Sequence, residues 1–188
     1  ISGNHDSFRI ADFLNDEELR LAYLFIYTMP GVPYLFAGDE LGQKTNRNLT
    51  SKEGGYQRTG TRIPMVFDIT ENRGFSKCKD VSKLYLPIDN ETVSVMEQLE
   101  DKNSLLNFIK ELIKIRKSED DLRSKDFKLL DKPLAYSRGK IKVFINLKDE
   151  DQKFEVESGE ILLSVGKVEF SAGKLVLKKH QAVIFKEA

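Results

Sequence analysis

The apolar residues of this 188-residue chain change their period near Arg123. Before that point they recur every three to four positions or gather in short unbroken blocks. After it they alternate. A helical period cannot settle as a strand, nor an alternating one as a helix, so two kinds of architecture must follow one another. The clearest helix is "NSLLNFIKELIKIRKSED". Asn103 or Ser104 caps it, and Leu105, Leu106, Ile109, Leu112, Ile113 and Arg116 share a face. Lys114, Arg116 and Lys117 gather at its end, where the helix dipole favours cations. Beyond "KSEDDLRSKDF", Ile141, Val143, Ile145 and Leu147 alternate, and "KFEVES", "EILLSV", "KVEFSAGKLVL" and "QAVIFKE" follow as short strands. Gly139, Gly159 and Gly173 punctuate them, the last in a hairpin-like "SAGK". Short strands at this spacing predict a small antiparallel β-sandwich over residues 123–188.

The front of the chain reads as strand end, helix, strand. In "LNDEELRLAYLFIYTMPGVP", Asn15 is a good N-cap and Glu18 stands where a capping box needs it. Asp16, Glu17 and Glu18 place negative charge on the first turn. Leu19, Ala22, Tyr23 and Ile26 make the expected buried stripe, and Pro30 and Gly31 stop the helix. "VPYLFAG" then reads as a strand buried on both faces, as in a parallel sheet. Residues 43–90 show no periodicity, and so long an irregular stretch is usually functional. Residues 1–122 are therefore expected to form an α/β region of βαβ type.

Charge and composition remove several functions. Lys plus Arg and Asp plus Glu both number 30, so the basic face that nucleic acid needs has no support from net charge. No apolar run approaches the length of about 20 residues of a membrane span. Cys78 is the only cysteine, so no intrachain disulfide forms; between Lys77 and Lys79 it reads as a solvated loop thiol. The acidic turn Asp149–Asp151 reads as solvated rather than as a calcium site. No signal peptide is read, and the expected location is cytoplasmic.

Chemistry concentrates in "GNHDSFR". If this stretch closes a strand of a parallel barrel, Asn4, His5 and Asp6 project into the cleft at the C-terminal ends of the strands. A carboxylate beside an imidazole suits neutral hydroxyl groups and developing positive charge. The plainer reading is an Asn-His-Asp turn capping a helix.

Four further segments go with it. "MPGVPYLFAGDELG" (residues 29–42), "RIPMVFD" (62–68) and "YLPID" with "VMEQLEDKNSLLNFIKELIKIRK" follow in order, and then the alternating strands. With Gly3-Asn4-His5-Asp6 and Arg9, the sequence resembles the α-amylase family of glycoside hydrolases along its whole length. That resemblance implies a (β/α)8 TIM barrel, of which residues 1–122 would be the C-terminal part (strands seven and eight with their helices). Residues 123–188 would be the C-terminal β-domain, in a covering role since it has no Trp. It implies a retaining α-glycosidase or 4-α-glucanotransferase acting on α-1,4-glucan or maltooligosaccharide. Asp6 would be the transition-state-stabilising carboxylate, His5 a sugar ligand and Arg62 a ligand of the terminal glucose, with Arg58 a competitor for that role. Arg9 would contact sugar or make a structural ion pair. Asp39 and Glu40 would be architectural. The nucleophile and the acid/base would lie on earlier strands, in an N-terminal remainder of the barrel, so this stretch alone is expected to be inactive. No cofactor or metal is implied for these residues; any calcium would belong to that remainder. Ile63, Val66, Phe67 and Tyr85 depart from the family pattern, where Thr, Gln, Trp and Trp are common. They leave hydrolase and transferase open. The alternative is a non-catalytic carbohydrate-binding or interaction protein derived from the same barrel.

Overall fold

The computed structural model describes residues 1–52, 58–130 and 134–188, which form two compact units. Unit 1 comprises residues 1–19 and 34–110; unit 2 comprises residues 20–33 and 111–188. Residues 20–33 and 111–122, on the barrel side of the expected boundary, thus group with the β-strands.

Helix α1 (Asp16–Thr28) starts as its sequence prescribes. Asn15 N donates to Glu18 Oε2 at 2.9 Å, and Glu18 N returns to Asn15 Oδ1 at 3.0 Å. The buried positions are Leu19, Leu21, Tyr23, Leu24, Tyr27 and Thr28. At about 100° per residue they sweep an arc of roughly 200°. Ala22 and Ile26, expected in the stripe, are only half-buried. The helix is covered along a broader and rotated face than a single amphipathic stripe predicts.

The "VPYLFAG" segment forms no strand. It is extended and irregular, joined to the chain start by one backbone bond from Ser2 N to Tyr34 O at 3.1 Å. Among the described residues no strand precedes Lys128. Tyr34, in a segment expected to be buried on both faces, is 66 % exposed. A strand is defined by its neighbours, and a single hydrogen bond makes no ladder. Between residues 43 and 90 the described chain has only 3₁₀ turns, at Thr59–Arg62, Glu71–Gly74 and Val81–Lys83.

Helix α2 (Val95–Glu100) carries a Ser94/Glu97 capping box, and helix α3 (Leu105–Ser118) is capped by Ser104, whose Oγ accepts from Asn107 N. Leu105, Ile109, Leu112 and Ile115 are its buried face, with Leu106 and Ile113 at the margins. Arg116 turns to the end of α1, donating to Tyr27 O at 2.6 Å, Met29 O at 3.1 Å and Gly31 O at 2.6 Å. It supplies partners that terminal helix carbonyls lack. The short helix α4 (Asp120–Arg123) follows.

The strands of unit 2 are β1 (Lys128–Leu129), β2 (Ala135–Arg138), β3 (Ile141–Asn146), β4 (Gln152–Glu155), β5 (Gly159–Val165), β6 (Glu169–Ser171), β7 (Lys174–Leu177) and β8 (Gln181–Glu187). They make one sheet in the order β1-β2-β3-β8-β5 and another in the order β4-β7-β6, with every pair antiparallel. Ala135, Phe144, Phe154, Val156, Leu175, Leu177, Val183 and Phe185 form the core between them. The antiparallel sandwich expected from the alternation is present. Strand β3 departs from that pattern, since Phe144 and Asn146 are buried along with Ile141, Val143 and Ile145, while Leu147 is exposed. A central strand covered on both faces loses its alternation. Asn146 remains satisfied by giving Nδ2 to Glu150 O and Leu177 O, both at 2.9 Å.

Arg138, wholly buried, holds the junction between helices and strands in this unit. It donates to Thr28 O, Leu122 O, Ser124 O and Asp126 O. Beside it Tyr136 meets Thr28 Oγ1 at 2.5 Å. Thr28 gives its one hydrogen to Leu24 O at 2.7 Å, so the Tyr136 hydroxyl is the donor to Thr28.

Candidate functional site

Asn4 makes the turn that carries His5 and Asp6. Its side-chain Oδ1 accepts from Asp6 N at 2.8 Å, the local bond that asparagine favours in turns. The 3₁₀ turn Thr59–Arg62 comes up beside it. Its approach depends on Gly60, where an added Cβ would stand 1.9 Å from Asn46 O. Asn46 N donates to Gly60 O at 3.1 Å across the same contact.

Two arginines of this second segment converge on Asp6. Arg58 Nη1 donates to Asp6 Oδ1 at 2.8 Å and Arg62 Nη2 donates to the same oxygen at 3.0 Å. Arg62 Nε donates to His5 O at 3.1 Å. His5 Nε2 lies 3.5 Å from Asp6 Oδ2. His5, Asp6 and Arg62, chosen separately from the sequence, therefore come together, and Arg58 joins them. Partial desolvation pulls the Asp6 carboxyl upward, but the hydrogen bond from Arg58, the charges of His5 and Arg58, and the bond from Arg62 outweigh it. The net result is a carboxyl held below its ordinary 3.8. Asp6 is thus an ionised acceptor: Oδ1 is doubly engaged and Oδ2 lies beside the imidazole.

Arg9 stands apart from this cluster. It is 2 % exposed, with Nη1 at 2.9 Å from both Ala37 O and Asp39 Oδ1, and Nε donating to Thr61 O at 3.1 Å. Its guanidinium also lies over the Phe36 ring, 4.6 Å from the centroid. The ion-pair expectation describes this residue. The sugar contact does not, because a guanidinium enclosed by carbonyls, a carboxylate and a ring has no face toward a ligand. Asp39 is fully buried; desolvation raises its pKa, against the hydrogen bond from Ser2 and the Arg9 charge. Glu40 is half-buried and raised by burial as well, with Gly38 N donating to its Oε2 at 2.8 Å. The Asp39 carboxylate accepts from the Arg9 and Ser2 side chains, while that of Glu40 accepts from backbone.

Thr45 and Thr61, buried beneath the turn, were not singled out from the sequence. Threonine in a polar, aperiodic stretch carries no sign of burial. A cavity of about 780 Å3 also lies in unit 1, lined by Lys44, Asn46, Asn48, Asp89 and Asn90 among others, and the Asp6 cluster is not part of it. The side chains of His5 and Asp6 are 62 % and 49 % exposed, so the cluster sits on open surface here. Among the described residues no group of three or more His, Cys, Asp or Glu side chains forms a metal site. No described helix is long and apolar enough to cross a membrane.

Residues 1–125 match the family model for the α-amylase catalytic domain. The chain belongs to the α-amylase family. Its relatives include a 4-alpha-glucanotransferase of Thermotoga maritima, 31 % identical over 82 % of this chain and 35 % of that protein. A glucan 1,6-alpha-glucosidase of Streptococcus pneumoniae is 28 % identical over 94 % of this chain and 40 % of its own length. Among solved structures, the trehalulose synthase MutB of Pseudomonas mesoacidophila superposes with a TM-score of 0.78. That likeness covers 98 % of this chain and 42 % of MutB at 22 % identity, and it is a likeness of fold. This α-amylase family chain thus spans about a quarter to two fifths of the length of the relatives it matches.

Proposed function

We propose that this chain acts as the C-terminal part of a retaining α-glucan hydrolase or 4-α-glucanotransferase. In this reading Ile1–Asn4 and Val32–Phe36, extended but unladdered in this chain, take the places of the seventh and eighth barrel strands once an N-terminal remainder supplies the other six. The exposure of Val32 (75 %) and Tyr34 (66 %) supports it, since both would be covered by that remainder. The openness of the Asp6 cluster supports it too, because sugar sites are concave and need walls.

The observation that carries the functional reading is the convergence of Asp6, His5, Arg58 and Arg62 on one turn. Retaining glycosidases pass through an oxocarbenium-like transition state between two carboxylates that act as nucleophile and acid/base. Both belong to the proposed remainder. Asp6 is a third carboxylate, its pKa held below the ordinary value by the neighbouring arginines and imidazole. Its Oδ2 accepts hydrogen bonds from sugar hydroxyls, and its charge stabilises the positive charge that develops at the anomeric carbon. A low pKa suits that task, since a protonated Asp6 would carry no charge to stabilise the cation. His5 Nε2 donates to a hydroxyl of the same sugar, and the two guanidinium groups hold the carboxylate in place. Arg62 is then at hand for the terminal glucose, with α-1,4-glucan or maltooligosaccharide as the substrate class.

The test is Asp6→Asn in the full-length enzyme. Release of reducing sugar, or transfer to an acceptor sugar, is expected to fall about 10²–10³-fold, the scale of losing one preorganised transition-state contact. The melting temperature should stay within a degree of the parent's. Loss of folding would make Asp6 structural, and retained activity would remove it from the chemistry. The 188-residue chain alone is expected to release no p-nitrophenol from an α-glucoside above a blank.

A further inference from the structure

Between Arg58 and Arg62, the two cations of the site, sits Thr61, and it is wholly buried. Every polar group it owns is engaged. Thr61 N donates to Arg58 O at 3.1 Å, closing the turn that carries both arginines. Thr61 O accepts from Arg9 Nε at 3.1 Å. Thr61 Oγ1 donates to Ser7 O at 3.0 Å, one residue beyond Asp6.

The hydroxyls form a directed chain. Arg9 N donates to Thr45 Oγ1 at 3.0 Å, and Thr45 Oγ1 lies 3.4 Å from Thr61 Oγ1. Thr61 spends its only hydrogen on Ser7 O, so Thr45 is the donor between the two threonines. The order is therefore Arg9 N–H to Thr45, Thr45 O–H to Thr61, and Thr61 O–H to Ser7 O. Each bond polarises the next in a site shielded from water. The chain leaves the backbone at residue 9 and returns at residue 7, and on its way it ties the arginine-bearing turn to the Asp6-bearing turn.

We propose that Thr61 is a positioning residue that sets the Asp6 carboxylate in register with Arg58 and Arg62, with Arg9 as its buried anchor. The exposed contacts alone do not fix that register. Arg58, Arg62 and Asp6 side chains are 29 %, 23 % and 49 % exposed, and ion pairs of this kind are weak unless something else holds their ends. The backbone ends are held by the Thr61 hydroxyl. Side chain and carboxylate then meet without first having to be ordered. The consequence for turnover rests on the function proposed for Asp6; the registration itself does not.

The test is the titration of Asp6, followed by carboxyl-carbon NMR in the full 188-residue chain. Thr61→Val keeps the shape of the side chain and removes the donor to Ser7 O. The Asp6 pKa is expected to rise toward 3.8, while Thr61→Ser, which keeps the hydroxyl, leaves it at the parent's value. Arg9→Lys keeps a cation against Asp39 but loses the bond to Thr61 O, and should shift Asp6 the same way by less. If Thr61→Val does not fold, Arg9→Lys decides. An Asp6 titration unmoved in the folded variants would overturn the proposal, as would an equal rise in Thr61→Ser. The readout needs no substrate, so its failure is distinct from a failure of Asp6→Asn to lose activity.

Discussion

Unit 1 and unit 2 are built from opposite materials. Unit 2 is organised around apolar side chains packed between two sheets, among them Phe144 and Phe154 with ring centroids 4.7 Å apart. Unit 1 buries Arg9, Asp39, Gln43, Thr45, Thr59, Thr61, Ser94, Gln98 and Ser104, and its irregular loops are tied by their hydrogen bonds. Apolar packing is non-directional, and many arrangements serve it nearly as well. Buried hydrogen bonds demand distance and angle, and leaving one unmade is costly. The unit that must hold His5, Asp6, Arg58 and Arg62 in a set geometry is the one held by directional bonds.

That contrast can be broken most forcefully at Arg9. Arg9→Met leaves Asp39 buried without its cation and is expected to destabilise unit 1 by about 3–5 kcal/mol. Chemical denaturation monitored at unit 1 amides should show it. A loss below about 1 kcal/mol would mean that the ion pair is not what holds these loops. The counterpart in unit 2 is Leu177→Ala, a wholly buried core position, expected to cost about 2–5 kcal/mol in the same experiment. Unlike Arg9→Met, it should leave the Asp6 titration untouched.

Alkaline pH probes the polar exception within the apolar unit. Burial pushes the Tyr136 hydroxyl up to about 12, against the charge of Arg138, which lowers it. The unfolded chain loses this proton near 10, so between pH 10 and 12 the unfolded state binds fewer protons and stability falls as pH rises. The loss is about 3 kcal/mol across that window. It should vanish in Tyr136→Phe, which is less stable than the parent below pH 10 by about 1 kcal/mol. A parent and variant that lose stability in parallel above pH 10 would remove Tyr136 from this role. The smallest effect is local. Ala172 and Gly173 form the two-residue turn between β6 and β7 with φ of 50° and 73°, and the left-handed conformation strains the alanine. Ala172→Gly should stabilise unit 2 by about 1 kcal/mol, a rise of roughly 2–4 °C in Tm by calorimetry.

Much of the architecture was legible in the residues themselves. The Asn15/Glu18 capping box, the Ser104 cap and the hairpin at "SAGK" depend on neighbours a few positions away, and they form as read. The alternation after Arg123 announced the antiparallel strands. Reading went astray where partners are distant. "VPYLFAG" has the composition of a buried strand, yet a strand exists only when another is bonded to it. β3 looked half-buried because alternation cannot say whether a second layer covers the other face. The grouping of residues 20–33 with the sheets rests on Arg116 and Arg138, whose sequence neighbours gave no hint of their carbonyl partners.

The same division runs through the site. Sequence alone determined which groups are present: an imidazole and a carboxylate next to Asn4, and two arginines in a distant aperiodic stretch. Those are matters of local backbone preference and residue chemistry. Only the tertiary structure decided that the two turns meet, that Arg58 shares Asp6 with Arg62, and that Arg9 faces inward to Asp39. The reason is that these bonds join residues 30 to 56 positions apart. Their closure depends on every loop between them, and no local pattern encodes it.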